Sequence, residues 1–284
     1  MALSGVVAVV GATGQQGSAT ARALLGAGVE TRALVRDPQK PAAQALASAG
    51  AQLAIADFDD PQTIRAAFDG ASRVFAMTTM ESGRGAAGET ADGIVIADAA
   101  KDASVEHLVY SSVGGAERHT GIPHFESKRR VEEHIESLGI PATFVRPTFF
   151  YENLLSQPPG PAGVPIVLRL PLADGIPLQM VAVDDIGAVA AALLIDPSRV
   201  PGGAVEIAGD ELTGSQIAEA FGRHAAQPAR YEALPLAAVE DDDIRAMFTW
   251  FAKPPAYQAD RALTSELDPH VQTLQQWLGR HNTP

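Results

Sequence analysis

The chain has 284 residues, of which 46% are hydrophobic, a formal net charge of −13 and no cysteine. This length is enough for one large domain or two modest ones with a substantial core. The acidic balance argues against direct nucleic-acid binding, and the absence of cysteine excludes disulfides and thiolate metal sites.

No stretch approaches the roughly 20 apolar residues of a membrane span, and no basic region precedes an apolar run at the N-terminus. We therefore expect a cytoplasmic protein without membrane association. His119, His124 and His134 lack the spacing of metal ligands, so we predict no metal. The acidic run at residues 240–243 is interpreted as a solvated turn or the start of a helix.

A glycine-rich stretch follows the first apolar run. Residues 6–10 are typical of a buried parallel strand, and residues 18–25 are typical of a helix. Between them Gly11, Gly14 and Gly17 have the spacing Gly-x-x-Gly-x-x-Gly rather than the usual Gly-x-Gly-x-x-Gly. This order predicts a dinucleotide-binding fingerprint with the pyrophosphate at the helix N-terminus. The alternative is a glycine-rich loop without a ligand.

The end of the second strand, at residues 29–36, discriminates between the two nicotinamide cofactors. An acidic residue there would bind the ribose 2′-OH of NAD, about 20 residues past the fingerprint. This chain has Arg36 instead, with Lys40 four residues later, whereas Asp37 precedes a proline and is typical of a cap. Because a guanidinium can donate two hydrogen bonds to a 2′-phosphate, we expect NADP(H). The alternative is a solvated Arg and Lys.

The rest of the chain alternates strands with helices, which predicts an α/β fold with a Rossmann-type doubly wound parallel sheet and a smaller C-terminal lobe. We expect residues 1–153 to form the dinucleotide-binding domain, with residues 180–209 returning to it, and residues 154–284 to form the lobe. The small residues at 82–88 suggest a mobile loop. Asp184 or Asp185 is expected to cap the helix that follows.

Several strand ends carry candidate cofactor contacts. Asp57 and Phe58 could meet the adenine ring, and Thr78 and Thr79 fall on the nicotinamide side. Asp59 or Asp60 is expected to cap the next helix.

A charged helix at residues 123–135 places His124 and Lys128 on one face. Lys128 could bond the nicotinamide ribose, although a lysine on a charged helix is more commonly just solvated. The aromatic run after residue 148 could wall the nicotinamide pocket or pack between the lobes.

Taken together, the chain resembles the NmrA-like family of atypical short-chain dehydrogenases and reductases, and most closely its NADPH redox-sensor branch. The motifs that carry this resemblance occur in the same order nearly end to end, at residues 11–17, 32–38, 57–60, 124–128, 150–155, 183–187 and 273–278. It implies NADP(H) across the carboxyl edge of the sheet. The implied contacts are Thr13, Gly14, Gln15 and Gln16 on the pyrophosphate, Arg36 and Lys40 on the 2′-phosphate, Lys128 on the ribose, and Phe150, Tyr151, Glu152 and Asn153 near the nicotinamide.

One departure concerns catalysis. Active short-chain reductases carry Tyr-x-x-x-Lys, but here His124 stands four residues before Lys128. Loss of this tyrosine favours a redox sensor that binds NADP(H) and acts on a regulatory protein partner. The alternative is an NADPH-dependent oxidoreductase of a quinone or conjugated carbonyl, with Lys128 and His124 as catalytic residues, because histidine titrates near neutral pH. A homodimer is left open.

Overall fold

The computed structural model describes residues 5–80, 83–156 and 165–280. Within those ranges a seven-stranded sheet has the order β10-β6-β5-β4-β1-β2-β3, and every pair of neighbours is parallel. Its strands are β1 (Val6–Val9), β2 (Thr31–Val35), β3 (Gln52–Ile55), β4 (Ala71–Met77), β5 (His107–Ser111), β6 (Ala142–Pro147) and β10 (Ala204–Ile207).

Helices cover both faces of this sheet because its strands are apolar on both sides. In β1 and the residue after it, Val7 and Val9 belong to one buried cluster, whereas Ala8 and Val10 belong to another, as the alternation of side chains along a strand requires. The covering helices are α1 (Gln15–Gly26), α2 (Pro41–Ser48), α3 (Pro61–Phe68), α4 (Gly85–Asp102), α5 (Pro123–Leu138) and α6 (Val183–Ile195).

A second lobe has its own apolar core, which includes Tyr151, Phe248, Phe251 and Trp277. Two small sheets contribute to it, with the orders β11-β9-β7 and β12-β8. Its elements are β7 (Phe149–Phe150), β8 (Ile166–Leu170), β9 (Leu178–Val181), β11 (Asp210–Leu212), β12 (Ala229–Ala233), α7 (Gly214–Ala225), α8 (Asp242–Phe251), α9 (Arg261–Leu267) and α10 (Leu274–Arg280). Among the described residues, no helix is both long and apolar enough to span a bilayer.

Three expectations about local structure need correction. The strand expected at residues 180–183 does not return to the large sheet: β9 pairs with β7 and β11, and the return is made by α6 and β10. Of the loop expected at residues 82–88, Gly85 onward is the first turn of α4, and Ser82 lies outside the described residues. Arg84 stabilises this turn through two hydrogen bonds to Asp92, at 2.6 and 2.8 Å.

The third correction concerns helix starts. Asp184 and Asp185 lie inside the first turn of α6, whose N-cap is Ala182 without a side-chain bond. The carboxylate of Asp185 instead accepts hydrogen bonds from the backbone and side-chain amides of Gln272, both at 2.9 Å.

Candidate functional site

The glycine turn after β1 is shaped by two close approaches. Gly11 has a φ of +66°, a conformation that glycine adopts without strain. The carbonyl of Gly11 accepts a hydrogen bond of 2.9 Å from the backbone N–H of Gly14. A Cβ on Gly17 would lie 2.2 Å from the same carbonyl oxygen. The turn can therefore lie against the start of α1 only because residue 17 has no side chain.

This arrangement leaves the N-terminus of α1 open at the carboxyl edge of the sheet. The N-cap is Gly14, which makes no side-chain bond, and no acidic residue lies in the first turn. Thr13, Gly14 and Gln15 are exposed. Free N–H groups at the positive end of a helix dipole bind anions such as phosphate. The residues present therefore fit the pyrophosphate of a dinucleotide.

Gln16 differs from its neighbours in the turn. Its side chain is buried and its Oε1 atom accepts a hydrogen bond of 2.6 Å from the hydroxyl of Ser111, at the end of β5. The side chain is therefore committed to linking α1 to β5. The part of Gln16 that remains for the expected pyrophosphate contact is its backbone N–H.

A pair of exposed cations lies beside the end of β2. Arg36 is the first residue after β2, and Lys40 is the N-cap of α2. Within the described part of the chain, neither side chain has a hydrogen bond or ion pair, whereas Asp37 accepts one from the backbone N–H of Gln39. These two cations fit a 2′-phosphate, because a phosphate would satisfy donors that the protein itself leaves free.

The end of β3 is organised by hydrogen bonds within its own turn. The carboxylate of Asp57 accepts from the backbone N–H of Asp59 at 3.0 Å, and Asp60 caps α3 by accepting from Gln62. Phe58 is half-buried against the cluster beneath α3. Asp57 and Phe58 thus stand at the edge where an adenine would bind, each with part of its surface accessible.

Lys128 is the centre of a buried polar cluster. Its Nζ atom donates to the carbonyl of Thr78 at 2.6 Å and lies 3.0 Å from Oε1 of Glu89. Ser127 donates from its hydroxyl to the other carboxylate oxygen of Glu89. Lys128 is only 8% exposed and Glu89 only 1%. The lysine is therefore not a solvated surface residue: its charge is compensated by a carboxylate that α4 supplies.

The side chain of Thr78 is bonded within the protein. Its hydroxyl is buried and shares a hydrogen bond of 2.9 Å with the hydroxyl of Tyr110. The side chain thus belongs to the scaffold that holds Lys128, and Thr79, which follows it, is exposed at the strand end.

His124 lies one helical turn before Lys128 and is paired with a residue of the second lobe. Its Nδ1 atom lies 2.5 Å from Oδ2 of Asp243, and its backbone N–H donates to Oδ1 at 3.1 Å. The imidazole is about one-fifth exposed. Burial lowers the pKa of His124 below its ordinary value, and the carboxylate of Asp243 opposes that shift.

Asp243 lies at the site, although the sequence did not predict it there. The acidic run was interpreted as a solvated turn or a helix start, and the second half is right for Asp241, which caps α8. Asp243, two residues later, turns inward and is 14% exposed. It lies 119 residues from His124 along the chain, and no local pattern signals such a contact.

The run after β7 divides between the core and the surface. Tyr151 is fully buried, its hydroxyl donates to the carbonyl of Gln272 at 3.1 Å, and its ring contacts Trp277. Its side chain belongs to the core of the second lobe, which corrects its assignment to the nicotinamide pocket. Glu152 accepts a hydrogen bond from the N–H of Val183, while Phe150 is half-buried and Asn153 exposed.

Fold and site together define a Rossmann-type α/β protein with a glycine turn at the carboxyl edge of its sheet and a second apolar core. The model of the NmrA-like family matches residues 4–278. The chain belongs to the NmrA-like family.

Three comparisons place the chain among its relatives. It is 32% identical over 234 residues to an NAD(P)H azoreductase of Xenophilus azovorans, covering 81% of this chain and 78% of the relative. The crystal structure of NmrA, a negative transcriptional regulator, has a TM-score of 0.85 at 23% identity, covering 99% of this chain and 96% of that one. An NADPH-dependent quinone oxidoreductase of Escherichia coli, solved with NADPH, has a TM-score of 0.79 at 23% identity, covering 97% and 98%. At this identity the two structures establish the shared fold.

Proposed function

We propose that this protein binds NADP(H) and is an NADPH-dependent oxidoreductase. The observation that carries the proposal is the pairing of an uncapped α1 N-terminus with two exposed cations, Arg36 and Lys40, that have no partner within the described residues. The first feature fits a pyrophosphate, and the second fits the 2′-phosphate that separates NADP(H) from NAD(H). The regulator NmrA has been solved in complex with NADP and also in complex with NAD, which supports binding of a nicotinamide dinucleotide, while the choice of NADP(H) rests on Arg36 and Lys40.

The remaining contacts follow from where each residue lies in the fold. The backbone at Thr13, Gly14, Gln15 and Gln16 would hold the pyrophosphate, and Asp57 with Phe58 would border the adenine. Lys128 and Thr79 would face the nicotinamide ribose. Phe150, Glu152 and Asn153 would border the nicotinamide side, where Tyr151 adds core packing alone.

The nicotinamide, when bound, supplies a hydride. What this chain adds is a proton donor on the same helical face as Lys128. When a carbonyl carbon gains a hydride, its oxygen becomes negative, and the imidazolium of His124 can give that oxygen the proton from Nε2 and return to its neutral form. Quinones and conjugated carbonyls are the class of substrate we propose, because their reduction requires this hydride and proton together. The azoreductase and quinone oxidoreductase relatives support a reductase.

A second candidate function is a redox sensor that binds NADPH without turnover and acts through a protein partner. The observation in its favour is the state of Lys128, whose ammonium already bonds Thr78 and Glu89. An ammonium held in place by Thr78 and Glu89 is suited to binding a ribose hydroxyl in one fixed position. It is less suited to lowering the pKa of an acid, and the tyrosine on which it would act is absent.

The deciding experiment is NADPH oxidation by the purified protein against quinones, enones, aldehydes and an azo compound. His124→Gln and Lys128→Ala are assayed beside it, with thermal unfolding as the check on folding. Turnover that falls in either variant supports the oxidoreductase. Tight NADPH binding without turnover on any compound supports the sensor, and no preference for NADPH over NADH contradicts the cofactor assignment.

A further inference from the structure

We infer that Asp243 is the positioning residue for His124: it fixes the imidazole with its proton on Nδ1 and leaves Nε2 as the atom that exchanges protons with substrate. The inference rests on the proposed oxidoreductase function for its chemistry, but its structural part stands on the contact itself. It assigns a role in the site to the second lobe, through one carboxylate on α8.

The contact is bidentate and spans two elements. One oxygen of Asp243 receives the backbone N–H of His124 at 3.1 Å, and the other lies 2.5 Å from Nδ1 of the ring. The backbone N–H of His124 can only donate, so the Oδ1 atom of Asp243 accepts. The Oδ2 atom of an ionised carboxylate can likewise only accept a hydrogen bond from the ring. Nδ1 must therefore carry a proton, in the neutral ring and in the imidazolium alike.

The charge on Asp243 is stabilised where it stands. Asp243 is the second residue of α8, a helix of 10 residues, and its backbone N–H is held by the N-cap carboxylate of Asp241. A carboxylate in the first helical turn is favoured by the helix dipole. The anion that orients His124 is thus held at the positive end of a helix.

Aromatic packing fixes α8 against the start of α5. Phe125, beside His124 in sequence, is fully buried and its ring lies 5.4 Å from that of Trp250 at the end of α8. Phe125 also contacts Tyr257, which in turn contacts Trp250. These rings hold the two helices in one relative position, so that the carboxylate of Asp243 faces the imidazole of His124.

The electrostatic surroundings of His124 come from three elements. Asp243 on α8 and Glu89 on α4 raise the pKa of the imidazole, Lys128 on its own helix lowers it, and burial lowers it most. A proton donor must be protonated, so kcat for reduction should decline as the pH rises through the lowered pKa of His124. Removing the charge of Asp243 lowers this pKa further and moves the decline to a lower pH.

The test compares Asp243→Asn with Asp242→Asn. Asp242 is the preceding residue, its side chain is 87% exposed, and its loss removes the same charge from the same helical turn. Histidine tautomers are read from the ¹⁵N and ¹³C-bound proton shifts of the imidazole, and the His124 signals are assigned as those missing from His124→Gln. This readout does not depend on any substrate.

We expect the wild-type ring to carry its proton on Nδ1 and Asp243→Asn to shift it towards Nε2, because an amide can donate to Nδ1. Once a substrate is identified, Asp243→Asn should lower kcat by about tenfold to a hundredfold and move the pH profile of kcat to lower pH. The KM for NADPH should stay unchanged. Asp242→Asn should change neither. An unchanged tautomer in Asp243→Asn overturns the inference even if the protein proves to be an oxidoreductase. A shifted tautomer without turnover supports the positioning and contradicts only the proposed function.

Discussion

The ammonium of Lys128 and the carboxylate of Glu89 form an ion pair of 3.0 Å between α5 and α4, and both side chains are almost completely buried. Removing one member of such a pair leaves the other charge without compensation in a poorly solvated place. The ion pair that positions Lys128, the candidate ribose contact, therefore also stabilises the domain.

Lys128→Met should lower the free energy of unfolding by about 3–5 kcal/mol. Glu89→Gln should cost less, because an amide still accepts a hydrogen bond. The double variant should be more stable than the sum of the two losses predicts, by about 1–3 kcal/mol. Urea denaturation of the four proteins measures this cycle, and Glu219→Gln in the exposed Arg223–Glu219 pair is the control with little effect. Strictly additive losses would show that the two buried charges do not interact.

Gly17→Ala should disrupt the glycine turn, because its Cβ would lie 2.2 Å from the carbonyl oxygen of Gly11. We expect a loss of about 1–3 kcal/mol in unfolding free energy and a weakened affinity for NADPH. Gly26→Ala is the matched control on the same helix, since a Cβ there meets nothing within 4 Å. Thermal unfolding and a fluorescence titration with NADPH report the two effects. A Gly17→Ala protein as stable as Gly26→Ala would refute the steric argument.

Arg36→Ala should weaken NADPH binding by about tenfold to a hundredfold, since a hydrogen bond to a charged group contributes about 1.5–3 kcal/mol. NADH, which lacks the 2′-phosphate, should bind the variant and the wild type alike. Calorimetric titration with both cofactors measures the ratio. The control is Arg230→Ala, an exposed arginine of β12 that is paired with Glu232. Equal weakening of NADH and NADPH would mean that Arg36 does not select between the two cofactors.

Asp185 should make the protein less stable at alkaline pH. Burial raises its pKa from the ordinary 3.8 to about 6, against the two hydrogen bonds from Gln272. Its stabilising contribution is therefore present below pH 3.8 and is lost as the pH rises through about 6. The gap between the two pKa values corresponds to about 3 kcal/mol at most.

Asp185→Asn removes the unfavourable burial of an ionised carboxylate at higher pH. Gln272 has a buried Oε1 atom without a hydrogen-bond partner within the described residues, and its amide can rotate to accept a bond from the new amide. The variant should exceed wild type in unfolding free energy at pH 8 by up to about 3 kcal/mol and approach it near pH 4. Denaturation curves at the two pH values test this, with Asp184→Asn, an exposed neighbour paired with Arg22, as the control. A difference that does not grow with pH would contradict the assignment.

The sequence predicted the parallel sheet and the open glycine turn because both depend on neighbouring residues. An apolar run before Gly11 and a helix after Gly17 are local patterns, and Arg36 follows its strand directly. The first turn of α4 was missed for the opposite reason. Glycines favour a loop in isolation, but here the side chain of Arg84, just before the helix, is hydrogen-bonded to Asp92. A side-chain contact beyond the glycine-rich segment overrides the local preference there.

Two contacts between residues far apart in the sequence lie beyond any local pattern. His124 and Asp243 are 119 residues apart, and Tyr151 and Gln272 are 121 apart. In each contact, the sequence indicated one residue as a candidate. Its partner is known only from the folded structure. Lys128 is the intermediate case: the sequence pointed to this residue, but its burial against Glu89 depends on α4, which comes from a different segment of the chain.

The seventh strand of the sheet is added late in the chain. β10 forms the edge beside β6, and α6 packs on α1, yet both follow the segment from β7 to β9 in the second lobe. The two lobes are thus interleaved rather than successive. A gene fragment that ended after residue 156 would encode a sheet with β6 bare at its edge and an uncovered apolar face on α1. Exchanging the second lobe between relatives therefore requires several junctions, and a single crossover would separate β6 from the strand that protects it.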